Sequence, residues 1–164
     1  MRLALVCIAI LFAWRSYNEQ KAWHSDFQLW KHAYQTEKTP DVLAYYAHHL
    51  IKEDGFEDAL DVVSELEAFD PTYQGLPLLK AKSVYLVPTL QTSEKIKSLE
   101  ESENKNHWTA YYLAQLYITQ DLLQKAYTLL NNALNAGADY GQEQERVEGL
   151  RKQLCHKTKM AGCT

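Results

Sequence analysis

The chain contains the same pattern twice, in residues 41–71 and in residues 108–138. Each copy holds an Ala-Tyr-Tyr triplet, a polar break and a second apolar segment centred on an alanine. Ala59 in the first copy aligns with Ala126 in the second. A copy of this length holds two helices and a turn, and such a unit buries its apolar face by stacking on its neighbours. The sequence therefore predicts an array of stacked helix pairs.

The spacing of apolar residues from Ser16 to Lys157 follows the helical period rather than the alternation of a strand. The chain has only six glycines and four prolines, which argues against a loop-rich all-β fold. The predicted fold class is all-α, with helices over 16–37, 41–53, 56–69, 76–86, 92–104, 107–120, 123–136 and 141–157.

The two copies resemble the tetratricopeptide repeat, because the offset from Ala59 to Ala126 is close to twice the period of that family. In that family small residues let helices approach, and large apolar residues fill the gap between them. The first copy departs from the pattern at Leu66, and the second departs at Ala110 and Ala138. The matching positions are Leu43, Tyr46, Ala47, Leu50, Ala59, Val63 and Pro71 in the first copy, and Leu113, Ala114, Tyr117, Ala126, Leu130 and Ala133 in the second.

The resemblance implies a tetratricopeptide-type α-solenoid of about three helix pairs. Pro88 ends the first helix of the middle pair early, so that pair is predicted to be degenerate. The last segment carries Val147, Leu150 and Leu154 on one stripe and a polar opposite face, which is typical of a terminal capping helix. The predicted parts are a hydrophobic anchor or signal helix over 1–15, a linking helix over 16–40 that packs on the first repeat, the repeat array over 41–140, the capping helix over 141–157 and a tail over 158–164.

Twelve apolar residues, Leu3 to Trp14, lie between Arg2 and Arg15. They fit an uncleaved membrane anchor, a cleaved signal peptide or a buried helix of the fold. The run ends in Phe-Ala-Trp, which lacks the small-x-small pattern of a signal cleavage site. Its twelve residues are also fewer than the ~20 that a full membrane span needs. Because Trp14 and Arg15 can extend the span at the interface, we expect a single-pass anchor. The flanking charges barely define its orientation, and they favour an N-terminus in the cytoplasm with the rest of the chain outside.

A second resemblance agrees with this orientation. The stretch that follows the apolar run is similar to the junction between the last membrane helix and the tetratricopeptide region of multi-pass sugar-transferase-like membrane proteins. The resemblance covers residues 5–71 and implies that the repeats face away from the cytoplasm, on the periplasmic side. Those proteins keep their catalytic acids in a membrane portion that has no counterpart in this sequence. The residues that carry the resemblance are Arg15, Trp23, Asp26, Leu29, Trp30 and Pro40.

The sequence carries no motif of an enzyme or a cofactor site. It lacks a glycine-rich phosphate loop, H-E-x-x-H and G-x-S-x-G, and a Cys155–His156 nucleophile pair would have no orienting acid. Seventeen basic and twenty-one acidic residues give a net charge of −4, which argues against nucleic acid as a partner. Cys155 and Cys163 fit a small disulfide loop outside the cytoplasm, free thiols inside it, or with His156 an incomplete metal site, and the disulfide is preferred.

The predicted function is binding. The first helices of a repeat array line its concave face, and eleven tyrosines with four tryptophans supply the large contact surface that protein partners use. Tyr46 and Tyr117 are expected to pack between helices instead. We expect a membrane-anchored adaptor or scaffold for another membrane or periplasmic protein, and the alternative is a non-catalytic accessory subunit or split C-terminal piece of a membrane glycosyltransferase or polymerase. Helical phase predicts that the groove is lined by Tyr45, His48, Lys52, Lys82, Tyr85, Trp108, Tyr111, Tyr112, Gln115 and Thr119.

Overall fold

The computed structural model describes residues 2–102, 106–136 and 141–158. Within these ranges every regular element is an α-helix, so the all-α fold class is confirmed. The helices are α1 (Arg2–Ala22), α2 (Asp26–Thr36), α3 (Pro40–Lys52), α4 (Phe56–Phe69), α5 (Leu76–Leu86), α6 (Thr92–Glu100), α7 (His107–Thr119), α8 (Leu123–Asn135) and α9 (Gly141–Thr158).

The expected continuous helix over 16–37 is wrong, because α1 ends at Ala22 and α2 begins at Asp26. Ser25 lies between them with an extended backbone, and its hydroxyl accepts a hydrogen bond from the amide of Gln28 at 3.2 Å. Asp26 in the first turn of α2 adds a favourable interaction with the helix dipole. The apolar period runs through this break, whereas the local capping residues end one helix and start the next.

The chain divides into two compact units, Met1–Asp70 and Pro71–Thr164. In the first unit α3 and α4 form a tightly packed hairpin, and α2 lies against α3. The apolar centre of this hairpin is closed to solvent. Its most buried side chains are Leu43, Ala47, Ala59, Val63 and Leu66.

The second unit is built around α7, which packs on α5, α6, α8 and α9. Helix α5 packs more closely on α7 than on α6, so the middle pair is looser than the pair α7–α8. Helix α9 lies against both α7 and α8 and inserts Val147 and Leu154, which are buried, while Leu150 is half-buried.

The hairpins α3–α4 and α7–α8 repeat each other. When Ala59 is aligned with Ala126, both ends of α3 fall on the ends of α7, and the start of α4 falls on the start of α8. Thr39 and Asn106 cap the first helix of each hairpin. The side-chain oxygen of each accepts a hydrogen bond from the backbone amide three residues later in the chain, at 3.3 Å for Thr39 and 2.9 Å for Asn106. Most positions that carry the tetratricopeptide resemblance are buried in both hairpins, including Tyr117. The exceptions are Tyr46 and Ala133, which are half-buried, and the exposed Pro71.

Helix α1 exposes large apolar side chains around its circumference. Ile8, Leu11, Phe12 and Trp14 are all exposed, and Phe12 keeps 69% of its accessible surface. In the part of the chain that the structure describes, no helix is both long enough and apolar enough to span a bilayer.

Candidate partner-binding surfaces

Three of the predicted groove residues belong to α3 in the first unit. Tyr45 is half exposed, Lys52 is exposed, and His48 is half-buried. The rings of His48 and His49 meet edge to face with centroids 5.7 Å apart, and His49 is buried in the hairpin. The helix therefore presents Tyr45 and Lys52 to solvent on the predicted face.

Trp30 is a neighbour of Tyr45 that helical phase alone did not place. It projects from α2, and its ring stacks on Tyr45 with centroids 4.5 Å apart and an interplanar angle of 16°. Phe27 and Tyr34, also on α2, stack on Tyr46 with centroids at 6.1 Å and 4.7 Å. Tyr46 thus packs between helices, whereas Tyr45 and Trp30 form an aromatic pair at the surface.

A cluster of Lys38, Tyr34 and Glu65 lies at the edge of this unit. The ammonium of Lys38 donates to Glu65 at 2.6 Å and lies 4.4 Å from the centroid of the Tyr34 ring, while the Tyr34 hydroxyl donates to the other Glu65 oxygen at 2.9 Å. The hydrogen bond from Lys38 lowers the pKa of Glu65, and the same bond raises the pKa of Lys38. These side chains hold α2 against α4. Because they already bond to one another, we assign them to the stability of the fold rather than to partner binding.

In the second unit the structure brings four predicted aromatic residues together. Tyr85 from α5 lies 5.2 Å from Tyr112, and Tyr112 lies 5.3 Å from Tyr111 and 6.4 Å from Trp108, all between ring centroids. The Trp108 and Tyr112 rings are stacked, the Tyr85 and Tyr112 rings are tilted, and the Tyr111 and Tyr112 rings meet edge to face. Stacked and edge-to-face contacts at these distances are favourable for aromatic rings. We call Tyr85, Trp108, Tyr111 and Tyr112 the aromatic face.

Some polar groups of the aromatic face already form hydrogen bonds within the chain. The Tyr85 hydroxyl donates to Oε1 of Gln115 at 3.2 Å, which links α5 to α7 and places the Gln115 amide beside the rings. Tyr112 is only 9% exposed, and burial raises the pKa of its hydroxyl. Trp108, Tyr111 and Gln115 are half-buried. Tyr112 is therefore the base of the aromatic face, and the other side chains are reachable by a partner.

Two predicted groove residues stand apart from the aromatic face. Lys82 is half-buried on α5, one turn before Tyr85. Thr119 is exposed at the end of α7, and its hydroxyl donates to the carbonyl of Leu116 in the same helix at 2.7 Å. The structure does not bring these two residues into the aromatic cluster.

Arg146 joins the aromatic face and was missed by the sequence analysis. It is exposed on α9, and its guanidinium carbon lies 5.4 Å from the centroid of the Trp108 ring. It also lowers the pKa of Tyr112, against the larger effect of burial. The predicted polar face of the capping helix α9 includes this arginine, which lies over one of the predicted binding aromatics. The Trp108–Arg146 contact places a positive charge on the aromatic rings that is distinct from the predicted Lys52 and Lys82.

Comparison with protein-family models, with curated proteins and with solved structures finds no match for this chain.

Cys155, Cys163 and His156 were the other candidates. Cys155 is disulfide-bonded, Cys7 is a free thiol on α1, and the predicted partner Cys163 lies outside the described residues. Within the described ranges no group of three His, Cys, Asp or Glu side chains is arranged to hold a metal ion.

Proposed function

We propose that this chain is a membrane-anchored adaptor of the tetratricopeptide type, which holds a segment of another membrane or periplasmic protein on its aromatic face. One observation carries the proposal: Tyr85, Trp108, Tyr111 and Tyr112 converge from two helices, and Arg146 approaches them from a third. Tyrosine, tryptophan and arginine are the residue types that dominate binding energy at protein interfaces.

The chemistry of the aromatic face favours an extended partner. Aromatic rings separated by hydrogen-bonding groups give apolar contact for alternate side chains and polar contacts for a main chain. Gln115 keeps its amide nitrogen beside the rings because its oxygen is the atom that accepts from Tyr85. Rings are also favourable contact groups because only two torsions are fixed when each one binds.

The anchor is supported by helix α1. Helix α1 exposes several large apolar side chains in succession, including Leu11 and Phe12, and contiguous apolar patches mark sites where a protein or a membrane binds. Lipid is a medium that would cover these side chains, although no described helix is long and apolar enough to cross a bilayer by itself. In this proposal the arginines at 2 and 15 lie at the membrane interface.

The test replaces Tyr111 with alanine and follows one partner. A photoreactive residue at position 115 of the full chain would be activated in intact cells, and the crosslinked partner identified and then titrated against the purified chain. Tyr111 is half-buried, so Tyr111→Ala should leave the helix content unchanged while weakening the partner about tenfold. Tyr112 is unsuitable because its truncation would open the core.

Tyr127→Ala is the matched control. Tyr127 is also half-buried, but it lies on α8, outside the four residues of the aromatic face. Its replacement should leave the partner's affinity as it was. Equal affinity of Tyr111→Ala and the unchanged chain would overturn the assignment of the aromatic face.

The second candidate is an accessory subunit of a multi-pass sugar transferase or polymerase. The observation that favours it is Trp23, which lies in the junction-like stretch and is 72% exposed. In this case Trp23→Ala, rather than Tyr111→Ala, should release the chain from a co-expressed transferase. If the transferase retained both variants, or lost both, Trp23 would not be the specific contact and this candidate function would be wrong.

A further inference from the structure

A cavity lies on the side of α7 that is turned away from the aromatic face. It has a volume of about 520 Å³ and is enclosed by α6, α7 and α8. Ala110, Leu113 and Tyr117 line it from α7, about half a helical turn away from Trp108 and Tyr111. The cavity and the aromatic face are therefore separate surfaces of one helix.

The cavity exists because α6 is short and its neighbours are small. Helix α6 has nine residues against thirteen in α8, and these two helices do not pack on each other within the described residues. Ala110, Ala133 and Ala136 line the space where larger side chains would fill it. The volume falls within the range of about 300–1,000 Å³ that small-molecule sites occupy.

The lining is apolar at its base and polar at its rim. Leu99, Thr109 and Leu113 are buried at the base, whereas Glu100 and Asn132 are exposed at the opening.

The buried Tyr117 hydroxyl holds the carboxylate at the rim, because it donates a hydrogen bond to Oε1 of Glu100. Burial, followed by the bond to Glu100, raises the pKa of Tyr117 to about 12. The hydroxyl thus stays protonated at neutral pH and remains a donor to Glu100.

We propose that this cavity binds a small molecule with an apolar body and one primary ammonium group, with the body on Leu113 and the ammonium at Glu100. A carboxylate at the edge of an apolar cavity selects for positive charge, because a cation gains a charge-assisted hydrogen bond there and an anion is repelled. This site is independent of the partner proposed for the aromatic face.

The charges around the rim agree with a cationic ligand. No lysine or arginine among the described residues forms an ion pair with Glu100. Lys125 lies 5.7 Å from the centroid of the Tyr117 ring, in a shallow depression beside the cavity, and makes no such pair. Within the described ranges Oε2 of Glu100 has no recorded hydrogen bond, so this atom is available to an ammonium.

The test uses three probes with the same chain and different head groups: octylamine, octanol and octanoate. The full chain in a nonionic detergent would be titrated with each probe, and binding followed by NMR of the Leu113 and Leu99 methyl groups. Octylamine should bind about tenfold more tightly than octanol, and octanoate more weakly than octanol. Glu100→Gln should abolish the preference for octylamine while keeping the bond from Tyr117, because a glutamine oxygen still accepts it.

Two further variants separate the cavity from the rest of the chain. Ala133→Phe places a ring in the cavity and should abolish the binding of all three probes. Tyr111→Ala changes the opposite side of α7 and should leave all three affinities unchanged. Equal binding of the three probes, an unchanged preference in Glu100→Gln, or no binding of octylamine would each overturn the proposal. Since Glu100 is exposed, its replacement does not endanger folding.

Discussion

Asp54 and Asp121 hold the same left-handed backbone conformation, with φ of 60° and 59°, at equivalent places in the two hairpins. Each aspartate follows the first helix of its hairpin. The amide of the next residue donates a hydrogen bond to a carbonyl in the last turn of that helix, at the equivalent position in both hairpins. Gly55 donates to the carbonyl of Leu50 at 2.9 Å, and Leu122 donates to the carbonyl of Tyr117 at 2.9 Å. This is the helix-ending motif that normally places glycine in the left-handed position.

Replacing Asp121 with glycine should stabilise the fold, because an L-residue has a steric cost in this conformation that glycine avoids. We expect the free energy of unfolding to rise by about 0.5 kcal/mol in Asp121→Gly and to fall by about 1–2 kcal/mol in Asp121→Val. Urea unfolding measures both. Gln120→Gly is the matched control, since Gln120 has a φ of −95° and gains nothing from glycine. A valine variant as stable as the unchanged chain would contradict the assigned conformation.

Ser83 offers a second test because its hydroxyl is buried without a partner. The side chain lies on α5 with 0% exposure, and no hydrogen bond is recorded for its oxygen within the described residues. A buried hydroxyl that lacks a partner costs about 1–3 kcal/mol, so Ser83→Ala should raise the free energy of unfolding by about 1 kcal/mol.

Ser64→Ala is the control for Ser83→Ala. Ser64 is exposed on α4, and its hydroxyl donates to the carbonyl of Leu60 at 2.9 Å. Its loss should change stability little. If thermal or urea unfolding shows that Ser83→Ala is less stable than the unchanged chain, then Ser83 has a partner and the assignment of an unsatisfied hydroxyl is wrong.

The repeat could be predicted from the sequence because each hairpin is specified locally. Each hairpin contains its own signals. The first has a capping residue at 39 and a turn residue at 54, and the second has the equivalent residues at 106 and 121. In both hairpins these residues and the apolar period indicate the same helix boundaries. The break after Ala22 was missed because the apolar period continues through it, and only Ser25 marks the new start.

The site was predicted only in part, because helical phase gives the direction of a side chain but not its neighbour. Phase placed Tyr85 and Tyr112 on one face, and the structure brings them to 5.2 Å. It could not place Arg146 over Trp108, since that contact depends on how α9 crosses α7, with a whole helix between them in the chain. The cavity beside Tyr117 was missed for a similar reason, since it arises from the short length of α6.

Tyr117 predicts a specific loss of stability at alkaline pH. Its pKa is raised from 10.0 to about 12, so the folded chain keeps a proton that the unfolded chain releases. The stabilisation is complete below pH 10 and is lost as the pH rises from about 10 to about 12, because the unfolded state binds fewer protons in that window. The difference in unfolding free energy between the unchanged chain and Tyr117→Phe should therefore shrink across this window.

The control for the alkaline prediction is Tyr45→Phe, since Tyr45 is half exposed and no recorded hydrogen bond joins its hydroxyl to a described residue. Comparison of the two variants separates the effect of Tyr117 from that of removing any one tyrosine hydroxyl. Absorbance at the tyrosinate band gives an independent reading, because Tyr117→Phe should remove a residue that ionises near pH 12. A Tyr117→Phe curve parallel to that of the unchanged chain would show that the hydroxyl gains no proton affinity on folding.

If the chain is membrane-anchored as proposed, Cys155 reports the side of the membrane on which the second unit lies. It is disulfide-bonded, whereas Cys7 on α1 is a free thiol. Disulfides persist outside the cytoplasm and are reduced within it. In intact cells that carry Cys7→Ser, a membrane-impermeant maleimide should therefore label the chain only after an impermeant reductant is added.

Cys155→Ser in the same background distinguishes the two sides of the membrane. The remaining Cys163 then has no cysteine to pair with, so it should be labelled without reduction if it lies outside the cytoplasm. Labelling that requires lysis in both backgrounds would instead place the second unit in the cytoplasm, because the impermeant maleimide reaches it only when the membrane is broken. The partner sought on the aromatic face would then be a cytoplasmic protein, and the orientation implied by the junction-like stretch would be wrong.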